Sequence, residues 1–184
     1  MAAQVAAARV IAMDRTAILE ALTELGRRLH AREVSGEMYV VGGAAIAIAF
    51  DDRRSTRDID ALFEPKQLIY DEAATMSAEL DLPAGWLNDA VKGFVAGPDP
   101  ESRLALDVPG LQVAIASPRI LLAMKVLAHR VGEYEADVRL LADELELRDA
   151  GAVLEVATTV YGDSLDAAAR FFVEQLFPVT REPD

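Results

Sequence analysis

At 184 residues the chain has the length of one ordinary domain, and with 52% hydrophobic residues it can bury a core, which excludes a disordered tail, a fibre and a multi-module machine. A net charge of −13, from 18 basic and 31 acidic residues, argues against a sequence-independent grip on a nucleic-acid backbone, so no general DNA binding is expected. The absence of cysteine removes disulfides, thiolate metal sites and thiol nucleophiles, and no apolar run approaches the ~20 residues that cross a bilayer, so a cytoplasmic protein with no membrane partner is the expectation.

An Ala-rich start, interrupted by Arg9, leads to Asp14, which precedes Ile18, Leu19, Leu22, Leu25 and Leu29 at helical spacing and predicts a capped amphipathic helix. Gly36 breaks it, and Met38 to Val41 is a β-prone run closed by Gly42 and Gly43, a buried strand entering a tight turn. Ala44 to Phe50, small and apolar throughout, predicts a short helix packed on a sheet. After a polar loop from Asp51 to Thr56, the next strand runs from Asp58 to Phe63, and Pro65 opens a helix to about Leu80.

Leu82 to Phe94 reads as a loop into a short helix, pinned by Trp86, with Asn88 or Asp89 capping the turn. Arg103 to Asp107 and Leu111 to Ala116 flank Val108-Pro109-Gly110 as a hairpin. Ser117 and Pro118 cap a helix through about Val131, and three more helices follow at about Glu135 to Leu147, Ala150 to Val160 and Ser164 to Leu176. The expected architecture is α+β, a mixed sheet flanked by helices with a helical C-terminal region. Residues 1–131 form the core with its N-terminal helix, and the acidic residues 132–184 pack on the same domain.

The chemistry concentrates in Val40-Val41-Gly42-Gly43 and Thr56-Arg57-Asp58-Ile59-Asp60. Carboxylates at i and i+2 on a strand face one side and can share a hard divalent cation, which neutralises charge developing in phosphoryl transfer. Two glycines after a strand leave backbone N–H groups free to hold phosphate oxygens. A bare Asp-x-Asp equally suits a solvated acidic pair. This one sits in an apolar strand, after Arg53, Arg54 and Arg57, 15 residues beyond the Gly-Gly turn.

The run MYVVGGAAIAIAFDDRRSTRDIDALF, residues 38–63, resembles the signature of the nucleotidyltransferase (DNA polymerase β-like) superfamily, a Gly-Gly turn followed by a hydrophobic-flanked Asp-x-Asp. It is similar in particular to small bacterial nucleotidyltransferase-like proteins related to the AbiEii-type toxins of toxin–antitoxin pairs. WLNDAVKGF (86–94) and ASPRILLAMKVLAHR (116–130) extend the likeness over most of residues 38–147. The resemblance implies a nucleotidyltransferase-like fold in which Gly42 and Gly43 hold nucleotide phosphates, with Thr56 and Arg57 beside them. It implies Mg²⁺, or Mn²⁺, bound by Asp58 and Asp60, with Lys125 matching a lysine that follows the core and Asp137 a later acidic residue. Where such relatives carry an Arg-Asp pair before Asp137, this chain has Glu133-Tyr134. The superfamily's third metal carboxylate belongs on a strand after Asp60, and Asp107 is the residue this chain offers; a strand-ending aspartate before a proline is also ordinary turn chemistry.

Lys125, among Ile120, Leu121, Leu122, Met124, Val126 and Leu127, must snorkel or find an anion, either a structural carboxylate or a bound phosphate. Together these features lead to a metal-dependent nucleotidyltransferase moving a nucleotidyl group from an NTP to an acceptor on RNA, protein or a small molecule. The resemblance adds a toxin role with a cognate antitoxin as partner. The alternatives are a catalytically inactive nucleotidyltransferase-like binding or regulatory protein and, fitting less well because only one strand is expected ahead of the motif, an Asp-x-Asp glycosyltransferase.

Overall fold

The computed structural model describes residues 12–95 and 97–178, so the Ala-rich start falls, up to Ile11, outside the described residues. Asp14 begins the first helix as its sequence predicts: its carboxylate accepts from the Ala17 N–H at 2.9 Å, and α1 runs Arg15–Ala31. Ile18, Leu22, Leu25 and Leu29 are wholly buried, each transfer from water being worth about 1.5–3 kcal/mol.

That apolar stripe lies on a five-stranded mixed sheet. Its central strand, β2 (Gly36–Val40), pairs antiparallel with β4 (Ile59–Glu64) and parallel with β7 (Leu111–Ile115). The edges are β5 (Leu87–Asn88), parallel to β4, and β6 (Arg103–Val108), antiparallel to β7, giving the order β5-β4-β2-β7-β6. The hairpin turn between β6 and β7 needs its glycine: Gly110 has φ +86°, and a Cβ there would stand 2.3 Å from the Gly26 carbonyl oxygen on α1.

Helix α2 (Gly42–Ala49) follows β2 directly, and α3 (Lys66–Glu79) follows β4. Then α4 (Pro118–Ala128) follows β7, with the Ser117 hydroxyl accepting from the Ile120 N–H at 3.4 Å. The C-terminal helices α5 (Glu135–Glu144), α6 (Ala150–Tyr161) and α7 (Ala167–Leu176) pack around α4, whose Leu121, Leu122 and Val126 are wholly buried. This is the α+β architecture expected, a mixed sheet flanked by helices with a helical C-terminal region.

Several boundaries differ from expectation, α5 ending at Glu144 rather than near Leu147, and four of the others have a local reason. The polar loop after α2 contains β3 (Ser55–Thr56), which pairs with β1 (Met13–Asp14) in a separate two-stranded ladder. The stretch Leu82 to Phe94 contributes β5 and a 3₁₀ turn (Ala90–Gly93), docked by buried Trp86, whose indole N–H donates to the Ala73 carbonyl at 3.0 Å. Helix α4 stops at Ala128 because His129 takes a left-handed conformation, φ 30°. Helix α7 starts after Asp166, whose side chain accepts from the Ala169 N–H at 2.8 Å. Among the described residues no helix is long and apolar enough to cross a membrane.

Candidate nucleotide and metal site

Beyond β2 the chain turns sharply into α2. Gly42 makes the turn with φ +64°, and the Val41 N–H donates to the Asp60 carbonyl at 2.9 Å, tying the turn to β4. Val41 provides no side-chain cap, so the first N–H groups of α2 carry the helix's partial positive charge uncapped. The positive φ favours glycine at 42, where a Cβ would also sit 3.2 Å from Asp60 Oδ2, and at 43 a Cβ would sit 3.1 Å from Thr56 Oγ1. The Gly-Gly pair is therefore built against the residues the sequence paired it with.

On β4, Ile59, Ala61 and Phe63 are buried, while Asp60 projects from the opposite face. Asp58 lies just before the strand, its backbone carbonyl accepting from the Thr56 hydroxyl at 3.0 Å and its Oδ2 accepting from Asn88 Nδ2 at 3.2 Å. Burial, and secondarily the negative charge of Asp58, push the Asp60 carboxyl above its ordinary value, against the pull of the Asn88 amide and then of Lys125 and Arg130. Two acids repelling each other in a half-buried setting form a locus that a cation would relieve.

Both aspartates open onto a cleft of about 550 Å³ that also takes in Gly42, Gly43, Thr56, Lys125 and Asp137. Lys125 is 7% exposed and Asp137 2%. Lys125 Nζ lies 2.9 Å from Asp137 Oδ2 and 3.7 Å from the centre of the Tyr134 ring, and Arg54 hydrogen-bonds the other Asp137 oxygen. Of the two partners expected for Lys125, the structure supplies the carboxylate.

Two predicted residues fall elsewhere. Asp107 lies on β6, three strands from β4, where the ladder puts it level with Gln112, Glu37 and Glu64 rather than with Asp60. It is exposed, its carboxylate accepting from Gln112 Nε2 at 3.4 Å, and it cannot be the third metal carboxylate. Arg57 is exposed and does not line the cleft; Arg54 takes that place. Sequence reasoning also passed over Arg130, Tyr134, Phe94 and Met124, all of which line the cleft. For Tyr134 a signal existed, since Glu133-Tyr134 stands where relatives carry Arg-Asp.

Among the described residues no group of three or more His, Cys, Asp or Glu side chains is placed to hold a metal. The two carboxylates that remain could hold a hard divalent cation such as Mg²⁺, which takes oxygen ligands.

A Gly-Gly helix start and an Asp-x-Asp pair facing one cleft in an α+β domain form the arrangement that the resemblance of residues 38–63 implied. Residues 17–148 match the family described as "Nucleotidyltransferase of unknown function (DUF6036)", and the chain belongs to it. A similar solved structure is the crystal structure of an antigenic nucleotidyltransferase-like protein from Paracoccidioides brasiliensis, at 13% identity and a TM-score of 0.47, covering 87% of this chain and 95% of that one. No curated protein matches the chain.

Proposed function

We propose that this protein is a metal-dependent nucleotidyltransferase that takes an NTP as donor and transfers its nucleotidyl group to an acceptor hydroxyl. The observation that carries the proposal is the convergence of the uncapped α2 start at Gly42-Gly43 with Asp58 and Asp60 in one cleft. The α2 N–H groups hold phosphate oxygens, as a helix N-terminus does for any anion. Asp58 and Asp60 would hold Mg²⁺ or Mn²⁺, and the chemistry such a cation supplies is neutralisation of charge on the triphosphate oxygens. Asn88 fixes the Asp58 carboxylate, and Thr56, through the Asp58 carbonyl, fixes its backbone. Arg54, with one of its five N–H donors on Asp137, and Arg130, whose side chain is 64% exposed and lies 3.6 Å from Glu133, are the cations of the cleft placed to reach phosphate.

One observation favours a second reading. Asp137 is engaged by two cations, Asp107 is remote and Glu133, which also lines the cleft, faces Arg130 at 3.6 Å, so among the described residues no third carboxylate is grouped with Asp58 and Asp60. On this ground the cleft could serve as a nucleotide-binding regulatory site without transfer. Incubation with α-³²P-labelled NTPs, Mg²⁺ and pools of RNA, protein and small-molecule acceptors separates the two. Label transfer that disappears in Asp58→Asn supports the enzyme, nucleotide binding without transfer supports the regulator, and no binding contradicts both. The AbiEii-type resemblance extends the proposal to a toxin restrained by a cognate antitoxin, tested by growth arrest on expression that Asp58→Asn abolishes.

A further inference from the structure

The cleft's lining is of two chemical kinds. Gly42, Gly43, Asp58, Asp60, Arg54, Arg130 and Tyr134 supply polar groups. The apolar lining comes from two elements: Ala90 and Val91 of the 3₁₀ turn with Phe94 directly after it, and Met124 and Ala128, one turn apart on α4. None of those five side chains carries a hydrogen-bond donor, and the one acceptor among them is the weak thioether sulfur of Met124.

Phe94 is anomalous within that lining. Its side chain is 54% exposed, yet its backbone is held at both polar atoms: the N–H donates to the Val91 carbonyl at 2.8 Å, and the carbonyl accepts from the Tyr161 hydroxyl at 2.5 Å. The turn that carries it is anchored in turn by Asn88 Oδ1, which accepts from the Ala90 N–H at 3.0 Å, and by Asp89, which Lys66 and Tyr70 both engage. An aromatic ring left in water on a backbone fixed this firmly is prepared for a flat apolar ligand, with its ordering cost already met.

We propose that Phe94, with Met124 and Ala128, forms the slot that stacks the nucleobase of the bound NTP, and that this slot accepts all four bases with little discrimination. The proposal rests on the nucleotide-binding function proposed above. Stacking on an aromatic face is sequence-tolerant because every base has a π-face, and discrimination between bases requires polar groups at their edges, which the apolar side chains lack apart from the weak Met124 acceptor.

Calorimetric titration in Mg²⁺ tests it, using ATP, GTP, CTP, UTP and inorganic tripolyphosphate against the full chain and against Phe94→Ala, Phe94→Leu and Phe94→Trp. Because Phe94 is exposed, all three variants should melt as the parent does. The four NTPs should bind the parent within about tenfold of one another. Phe94→Ala should weaken all of them by about 5- to 100-fold while tripolyphosphate binds unchanged, Phe94→Leu should fall between, and Phe94→Trp should bind at least as well as the parent. Unchanged NTP affinity in Phe94→Ala, or one NTP favoured by more than about 100-fold, overturns the slot while leaving the phosphate site standing. Failure of both NTPs and tripolyphosphate to bind the parent overturns the slot and the nucleotide function together.

Discussion

Lys125 and Asp137, on consecutive helices α4 and α5, form a buried ion pair with Nζ 2.9 Å from Oδ2, and Arg54 completes it from the loop ahead of the Asp-x-Asp strand. Asp137 is the shared member, so the two single substitutions are unequal. Asp137→Asn leaves a nearly buried lysine without its carboxylate and should cost about 3 kcal/mol or more. In a chain of this length that lowers Tm by roughly 6–12 °C. Lys125→Met leaves Asp137 its Arg54 partner and should cost under about 2 kcal/mol. Thermal melts of the two variants without ligand check the ranking; equal losses would show that Arg54 contributes nothing to Asp137.

The two glycines should also separate. At Gly42 an alanine must adopt φ +64° and press its Cβ on the Asp60 carboxylate, so Gly42→Ala should cost about 1–2 kcal/mol and weaken nucleotide binding as well. Gly43 has no such backbone requirement, and its Cβ would meet only the Thr56 hydroxyl at 3.1 Å. Gly43→Ala should therefore keep its stability within about 1 kcal/mol while nucleotide affinity falls. Urea unfolding and NTP titration of both variants provide the comparison.

The reasons why these residues meet were unevenly legible in the sequence. The spacing of Ile18, Leu22, Leu25 and Leu29 after Asp14 announced α1, and the alternation expected from Asp58 onward pointed Asp58 and Asp60 to one side; both residues line the cleft, although β4 itself begins at Ile59. Both signals are local periodicities. The pairing order of the strands is not local. Asp107 looked like a third carboxylate because it ends a strand after Asp60; the Val108-Pro109-Gly110 turn announced the pairing of β6 with β7, but nothing local says that β6 stands at the edge, three strands from β4. Arg53, Arg54 and Arg57 are equivalent in composition. The pairing of β3 with β1 fixes the loop so that Arg54 enters the cleft and Arg57 faces solvent. The two-residue β5 had no periodicity to read, so the placement of Asn88 against Asp58 and of Phe94 at the cleft could not be seen beforehand.

All four tyrosines of the chain are raised above the ordinary phenol value, in each case first by burial. Tyr161, half-buried with its hydroxyl on the Phe94 carbonyl, is pushed up to about 12, and in Tyr39 the Asp99 carboxylate adds to the effect. A folded value above the unfolded one means that the unfolded chain loses its phenolic protons first. The associated stability is complete below pH 10 and is lost as pH rises through 12. Absorbance at 295 nm should accordingly show much less than half ionisation at pH 10, followed by a steep rise coincident with unfolding by circular dichroism. Gradual ionisation centred near pH 10 in a chain that stays folded would contradict this.

The most direct test of the site is calorimetric titration of ATP, with Mg²⁺ and with EDTA, into the parent chain and into Asp58→Asn/Asp60→Asn. If Gly42-Gly43 and the two aspartates form one nucleotide and metal site, the parent binds ATP far more tightly with Mg²⁺ than with EDTA. The double variant then loses about 100-fold or more of the Mg²⁺-dependent affinity while remaining folded. Equal Mg²⁺-dependent binding by both proteins, or no binding by the folded parent, would contradict the account.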